Sequence, residues 1–333
     1  MLGINNWKQR SFRLIAGVAL FSALGLALSA LTAKADVVIT AGADKKVKIW
    51  DPATGNELKS IVAHESAVNV IAVSPDGKLL ATGGADKKVK IWNIEKGELV
   101  KEIAAHTEEV TALAFSPDGK MLASGGSDKK IKIWTLPDGK ADGSIDVAGK
   151  VVGITLVPAN ESLMIIAGLA DGSMPILGKD GNAVFSLNTE HKGGLTAAGG
   201  NLKEMCVYSG GADGLLKYFS QSGQGEFEGG KHEGAVNAIV TSSDSEKVLT
   251  GGVDGKLIVW GANDHKKIAT IETGLKSVKS VAISPDGKRI FTGGDKKVKV
   301  WENGKELVAQ DCHEGMVNAI LYVADKKKVE DKK

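Results

Sequence analysis

HESAVNVIAVSPDGKLLATGGADKKVKIW, residues 64–92, is the stretch whose reading decides the fold. Val68 to Val73 has the length, composition and alternation of a strand. Ser74-Pro75-Asp76-Gly77 then turns the chain, because proline presets φ and Asp-Gly tolerates the positive φ that reversal needs. Leu79-Leu80-Ala81-Thr82 predicts a second strand, Gly83-Gly84-Ala85-Asp86 a hairpin, and Val89-Lys90-Ile91-Trp92 a third strand. Glu98 to Ile103 supplies a fourth, outermost strand before His106 starts the same grammar again. The turn itself recurs at Ser116-Pro117-Asp118-Gly119 and Ser284-Pro285-Asp286-Gly287.

Outward from this unit, aspartate and tryptophan recur six residues apart at Asp44/Trp50, Asp86/Trp92, Asp128/Trp134, Asp254/Trp260 and Asp295/Trp301. Degenerate copies at Asp171/Leu177 and Asp213/Phe219 keep the phase, so successive steps are 42, 42, 43, 42, 41 and 41 residues. A period of this length with four short strands per copy is the signature of a β-propeller blade. Seven copies predict an all-β, seven-bladed propeller of four-stranded antiparallel blades. A ring grows by adding units around one axis, so residues 36–324 form a single domain.

The repeated residues resemble the WD-repeat family over nearly all of residues 36–324. In that family a histidine, a serine or threonine, an aspartate and a tryptophan form a buried hydrogen-bonded tetrad in each blade. The resemblance places such tetrads at His64, Thr82, Asp86 and Trp92; at His106, Ser124, Asp128 and Trp134; and at His232, Thr250, Asp254 and Trp260. His191, Ser209, Asp213 and Phe219 keep the polar members and lose the indole. The histidine-to-aspartate separation is 22 residues in all four units. One histidine per blade is a satisfied interior histidine rather than a metal ligand or base, and His265 alone stands outside the pattern.

Blade one lacks its own innermost strand, since Asp36 begins directly on the second, whereas a surplus strand follows blade seven. That strand, residues 316–322, is expected to close the ring beside Val37 to Thr40, with His313 joining Thr40, Asp44 and Trp50 in a tetrad of mixed parentage. Closure removes the exposed sheet edges that template aggregation. Blade four carries Val147, Ala167 and Leu177 at the tetrad positions, and blade seven has no histidine and a hairpin shortened to Gly293-Gly294-Asp295. Both cores are expected to rest on apolar packing.

Residues 1–35 are of another kind. Lys8, Arg10 and Arg13 precede an apolar run from Leu14 to Ala33 and then Ala33-Lys34-Ala35, the layout of a secretory signal peptide. An uncleaved membrane anchor is the alternative. Cleavage is preferred because residues 36–40 already align with a blade strand and leave no linker. The general secretory route, without stable membrane insertion afterwards, leads to a periplasm. Cleavage removes four of 42 basic residues and none of 40 acidic ones, which leaves 38 against 40 and argues against nucleic-acid binding. Two cysteines in different blades, Cys206 and Cys312, are expected to be free and mostly buried. Residues 325–333 read as a charged, solvated tail.

The resemblance implies a non-catalytic scaffold that binds other proteins, as a monomer or within a larger complex. On the face bearing the hairpins between second and third strands, Lys45-Lys46, Lys87-Lys88, Lys129-Lys130 and Lys296-Lys297 follow the hairpin aspartate. Blades four, five and six carry Asp-Gly there. The four pairs form an arc over blades seven, one, two and three, suited to a partner with an acidic surface. Lysines that merely solubilise exposed hairpins are the competing reading, and Glu65, Glu108, Glu109, Glu233 and Glu314 offset part of the field. Asn69, Thr111, Asn237 and Asn318, five residues after their histidines, are expected at the channel mouth. The rival function is a periplasmic enzyme, or a small-molecule or cofactor binder using the central channel. No nucleophile elbow, phosphate loop or metal-spaced cluster stands outside the repeat, so no catalytic residue, metal or cofactor is assigned.

Overall fold

The computed structural model describes residues 36–159, 162–201, 206–220 and 223–324. The signal peptide expected at residues 1–35 and the tail at 325–333 lie outside the described residues. Within them, 28 strands form seven four-stranded antiparallel sheets. Blade two consists, from the centre outward, of Val68–Val73, Leu79–Gly84, Lys88–Asn93 and Glu98–Ala104. No helix among the described residues is long and apolar enough to cross a membrane.

The ring closes by strand exchange. Val317–Val323 pairs with Val37–Gly42 and becomes the innermost strand of blade one. It begins one residue later than expected, because the Met316 carbonyl accepts a hydrogen bond from the Ala43 amide in the adjoining hairpin. Buried apolar clusters fill the blade-to-blade seams, such as Ile39, Ile49, Val68 and Leu80 between blades one and two. Burial of this kind contributes about 25 cal/mol per Å² and supplies most of the ring's stability.

The paired glycines belong to the second strand rather than to the hairpin, and each has a separate steric task. A Cβ on Gly83 would lie 2.6 Å from Val110 of the next blade. A Cβ on Gly84 would lie 2.5 Å from His64 Nδ1. The first glycine lets the neighbouring blade approach, and the second makes room for the histidine. Gly42, Gly126, Gly211 and Gly252 take the second role beside their own histidines, whereas Leu169, buried, replaces that glycine in blade four where no histidine needs the space.

Asn69, Thr111, Asn237 and Asn318 do more than line a channel mouth. Each donates to a backbone carbonyl of the next blade: Asn318 to Val68, Asn69 to Val110, Thr111 to Val151 and Asn237 to Val278, at 2.6 to 3.2 Å. Thr196 does the same to Val236 at 2.7 Å. The innermost strands expose these carbonyls because no further strand pairs with them, so a short side-chain donor is well placed to satisfy them.

Candidate functional site

In blade two the indole Nε1–H of Trp92 donates to Thr82 Oγ1 at 3.0 Å, Thr82 Oγ1 lies 2.7 Å from His64 Nε2, and His64 Nδ1 lies 2.9 Å from Asp86. The same chain runs through His106, Ser124, Asp128 and Trp134, through His232, Thr250, Asp254 and Trp260, and across the closure through His313, Thr40, Asp44 and Trp50. His191, Ser209 and Asp213 form the three-membered version, and Phe219 has no donor to add. Blade four has none of these bonds, and Ala167, Leu169 and Leu177 are packed as core. Blade seven departs from the expected apolar core. Trp301 still donates to Thr292 at 2.9 Å, and Asp295 accepts from the Lys276 amide at 2.8 Å.

Hydrogen-bond direction assigns the tautomer. The Asp86 carboxylate can only accept, so the neutral histidine carries its proton on Nδ1; Nε2 is then an acceptor, and the Thr82 hydroxyl, which accepts from Trp92, donates to it. Burial holds His64, His106 and His313 below the ordinary histidine pKa, with the facing aspartate offsetting part of that. For Asp44, Asp128 and Asp254 burial acts upward. Hydrogen bonds from histidine and from backbone amides outweigh it and hold these carboxyls below the usual aspartate range. No group of three or more His, Cys, Asp or Glu side chains among the described residues has metal-binding geometry.

The tetrad aspartate also anchors the hairpin above it. Asp44 accepts from the Lys46 amide, Asp86 from Lys88 and Asp128 from Lys130, at 3.2 to 3.3 Å. This forces the intervening residue into the left-handed region, with φ of 71° at Lys45, 70° at Lys87 and 60° at Lys129. Blades four, five and six place Gly172, Gly214 and Gly255 there, all at positive φ. In the shortened hairpin of blade seven the left-handed residue is Asp295, and Lys296 and Lys297 follow it.

The two lysines of each pair differ. Lys46 is paired with Glu314 at 3.3 Å, Lys88 with Glu65 and Glu102, Lys130 with Asp146 and Lys297 with Asp311. Lys45, Lys87, Lys129 and Lys296 are exposed and make no ion pair among the described residues. The arc therefore presents four unpaired ammonium groups, one per blade. Strand lysines Lys48, Lys90 and Lys299 are held by Glu57, Glu102 and Glu306 and belong to the sheet.

Away from this face, Cys206 and Cys312 are buried in different blades, and burial pushes the Cys312 thiol up to about 12. His265 stacks on Tyr218 with centroids 3.5 Å apart, and its carbonyl accepts from the Glu228 amide at 2.7 Å.

The chain matches the family model described as IFT122 first beta-propeller over residues 30–274, and the WD domain, G-beta repeat model over residues 265–302. Cilia- and flagella-associated protein 52 of Chlamydomonas reinhardtii is 30% identical over 96 residues, 28% of this chain and 16% of that protein. Small ribosomal subunit protein RACK1y of Oryza sativa is 30% identical over 80 residues, 24% of each chain. The ribosome biogenesis protein WDR12 homolog of Chlamydomonas reinhardtii is 30% identical over 113 residues, 30% of this chain and 26% of that protein. The chain thus spans about a quarter or less of the length of these relatives.

Proposed function

The chain belongs to the IFT122 first beta-propeller family of WD-repeat proteins, and from that premise we propose that it is a non-catalytic scaffold that docks an acidic protein on its lysine-bearing hairpin face. The observation that carries this reading is the left-handed backbone at Lys45, Lys87 and Lys129. A side chain with a Cβ costs about 1 kcal/mol more than glycine in that conformation. Three blades accept glycine there and three accept the strain to keep a cation, which favours a use for the charge over solubility alone. The free ammonium groups draw an acidic partner from a distance and raise its association rate, an effect that salt screens.

The same reading includes export. The apolar leader and the Ala33-Lys34-Ala35 site support delivery across the inner membrane, release by cleavage after residue 35 and residence in a periplasm. N-terminal sequencing of the mature protein is expected to begin at Asp36; a retained residue 1–35 segment contradicts it.

Charge reversal tests the docking face. Lys45→Glu, Lys87→Glu, Lys129→Glu and Lys296→Glu together should abolish retention of a poly-glutamate peptide and of partners co-purified from envelope fractions. Reversal of Lys46, Lys88, Lys130 and Lys297, whose charges are already paired, should weaken retention less. Equal retention by wild type and the first variant rejects the reading.

A further inference from the structure

Given the docking proposed above, we infer that Lys279 sets its specificity: a carboxylate side chain of the acidic partner enters the channel mouth at blade seven and pairs with this lysine. Ser280 pairs with Gly293 as Ala238 pairs with Gly251, so Lys279 holds the place in blade seven that Asn237 holds in blade six. That place is the start of the innermost strand, beneath the hairpin. The Lys276 amide just before it donates to Asp295 of that hairpin at 2.8 Å.

In five blades this place holds an asparagine or threonine that donates to a carbonyl of the next blade. Blade four has Val152 there, and blade seven has Lys279. The Lys279 ammonium turns back toward blade six, where Asn237 Oδ1 lies 3.5 Å away. Asn237 is held for that approach. Its Nδ2 donates to Ser277 Oγ and to the Val278 carbonyl, both at 3.0 Å, which leaves the amide oxygen as the end that faces the lysine. An ammonium carries three donors, and one neutral oxygen at this distance is a weak partner. Lys279 is half-buried, so it has given up part of its hydration for that single contact among the described residues.

Lys150, on the other side of the mouth, shows a cation satisfied from within. Its Nζ lies 2.8 Å from Glu109 Oε1, and Glu109 also accepts from Ser127 at 3.1 Å and from Asn69 at 3.2 Å. The Lys150 ammonium holds the Glu109 carboxyl below the usual glutamate range. At blade seven the balance is reversed, because Lys276 and Lys296, both exposed, flank Lys279. A carboxylate arriving there meets three cations of one blade. Salt screens the exposed pair strongly and the half-buried lysine less, so the hairpin lysines steer the partner and Lys279 anchors it.

Zero-length crosslinking tests the anchor. Poly-glutamate peptide is bound to the full chain at low salt and treated with a carbodiimide, which condenses a carboxylate with an adjacent amine by loss of water. Mass spectrometry then maps the linked lysines, and Lys279 should be among them. This reading is made on the wild-type chain and needs no variant to fold. Lys279→Met should weaken peptide affinity about tenfold, the factor of one charge-assisted hydrogen bond, whereas Lys279→Arg should keep most of it. Lys276→Met removes an exposed charge and should cost less than about twofold. Peptide retained with Lys279 unlinked, or bound equally by Lys279→Met and wild type, overturns the anchor and leaves the docking face standing. No retention by the wild-type chain overturns both.

Discussion

Blade two and blade four are made of the same four antiparallel strands, yet they hold themselves together differently. Blade two runs a proton-ordered chain from Trp92 through Thr82 and His64 to Asp86, and spends Gly84 on making room for it. Blade four fills the same positions with Ala167, Leu169 and Leu177 and no hydrogen bond. The architecture tolerates either solution because the sheet ladder and the seams carry most of the stability. The hairpin aspartate anchors its turn with or without a tetrad, since Asp171 of blade four accepts from the Ser173 amide at 2.9 Å; in blades with a tetrad the histidine holds that aspartate as well. The difference teaches that the polar core ties the hairpin aspartate to the blade interior, while the hairpin geometry itself needs only the aspartate.

The largest expected effect takes one blade below even the level of blade four. Deleting residues 313–333 removes the inner strand and the histidine of blade one, leaving Val37–Gly42 without its partner. The cooperative melting transition should be lost or moved far down, as followed by circular dichroism. An unchanged melting curve would count against closure by strand exchange.

Single substitutions sharpen the comparison. Thr82→Val removes the hydroxyl that joins two buried partners and strands both Trp92 Nε1 and His64 Nε2, which should cost about 2–4 kcal/mol by denaturant unfolding. Ala167→Ser in blade four introduces a buried hydroxyl with no tetrad to receive it, at about 1–2 kcal/mol. The same functional group thus stabilises one blade and destabilises the other. If both changes were neutral, the tetrads would be ornaments of the fold.

Acid should distinguish the blades more gently. His64, His106 and His313 have folded pKa values below their unfolded value, so the unfolded chain binds protons first as pH falls. Their contribution is fully present above about pH 6.5 and is lost as pH drops toward the lowered folded values. The lowered Asp44, Asp128 and Asp254 act in the same direction in more acidic solution. Melting temperature should be flat from pH 8 to 7 and decline below 6.5, with amide protection in blade four following only the global loss.

Much of this was legible in the chain. The spacing of Trp50, Trp92, Trp134, Leu177, Phe219, Trp260 and Trp301 reports the blades directly, because each blade repeats one local hairpin geometry. The cross-closure role of His313 was legible for the same reason, as a surplus copy of a known phrase. Contacts between repeats left weaker traces. Asn69 reaches Val110 of the next blade, and the trace of that bond was only a recurrent Asn or Thr five residues after each histidine, which equally suits a solvated channel. The difference between Lys45 and Lys46 was hidden too, since pairing with Glu314 arises from the return of a distant segment. The strain at Lys45, Lys87 and Lys129 did have a sequence signal: glycine takes the same place at 172, 214 and 255.

That interchange supplies the most direct measurement. Lys45→Gly, Lys87→Gly and Lys129→Gly, made together, remove three free charges while relieving three left-handed residues. Melting temperature and retention of a poly-glutamate peptide at low salt should be measured on the same preparation. The account predicts a protein at least as stable as wild type that has lost most of its peptide retention. A variant equally stable and equally retentive would contradict the docking face, leaving the lysines as solvated ornaments of the hairpins.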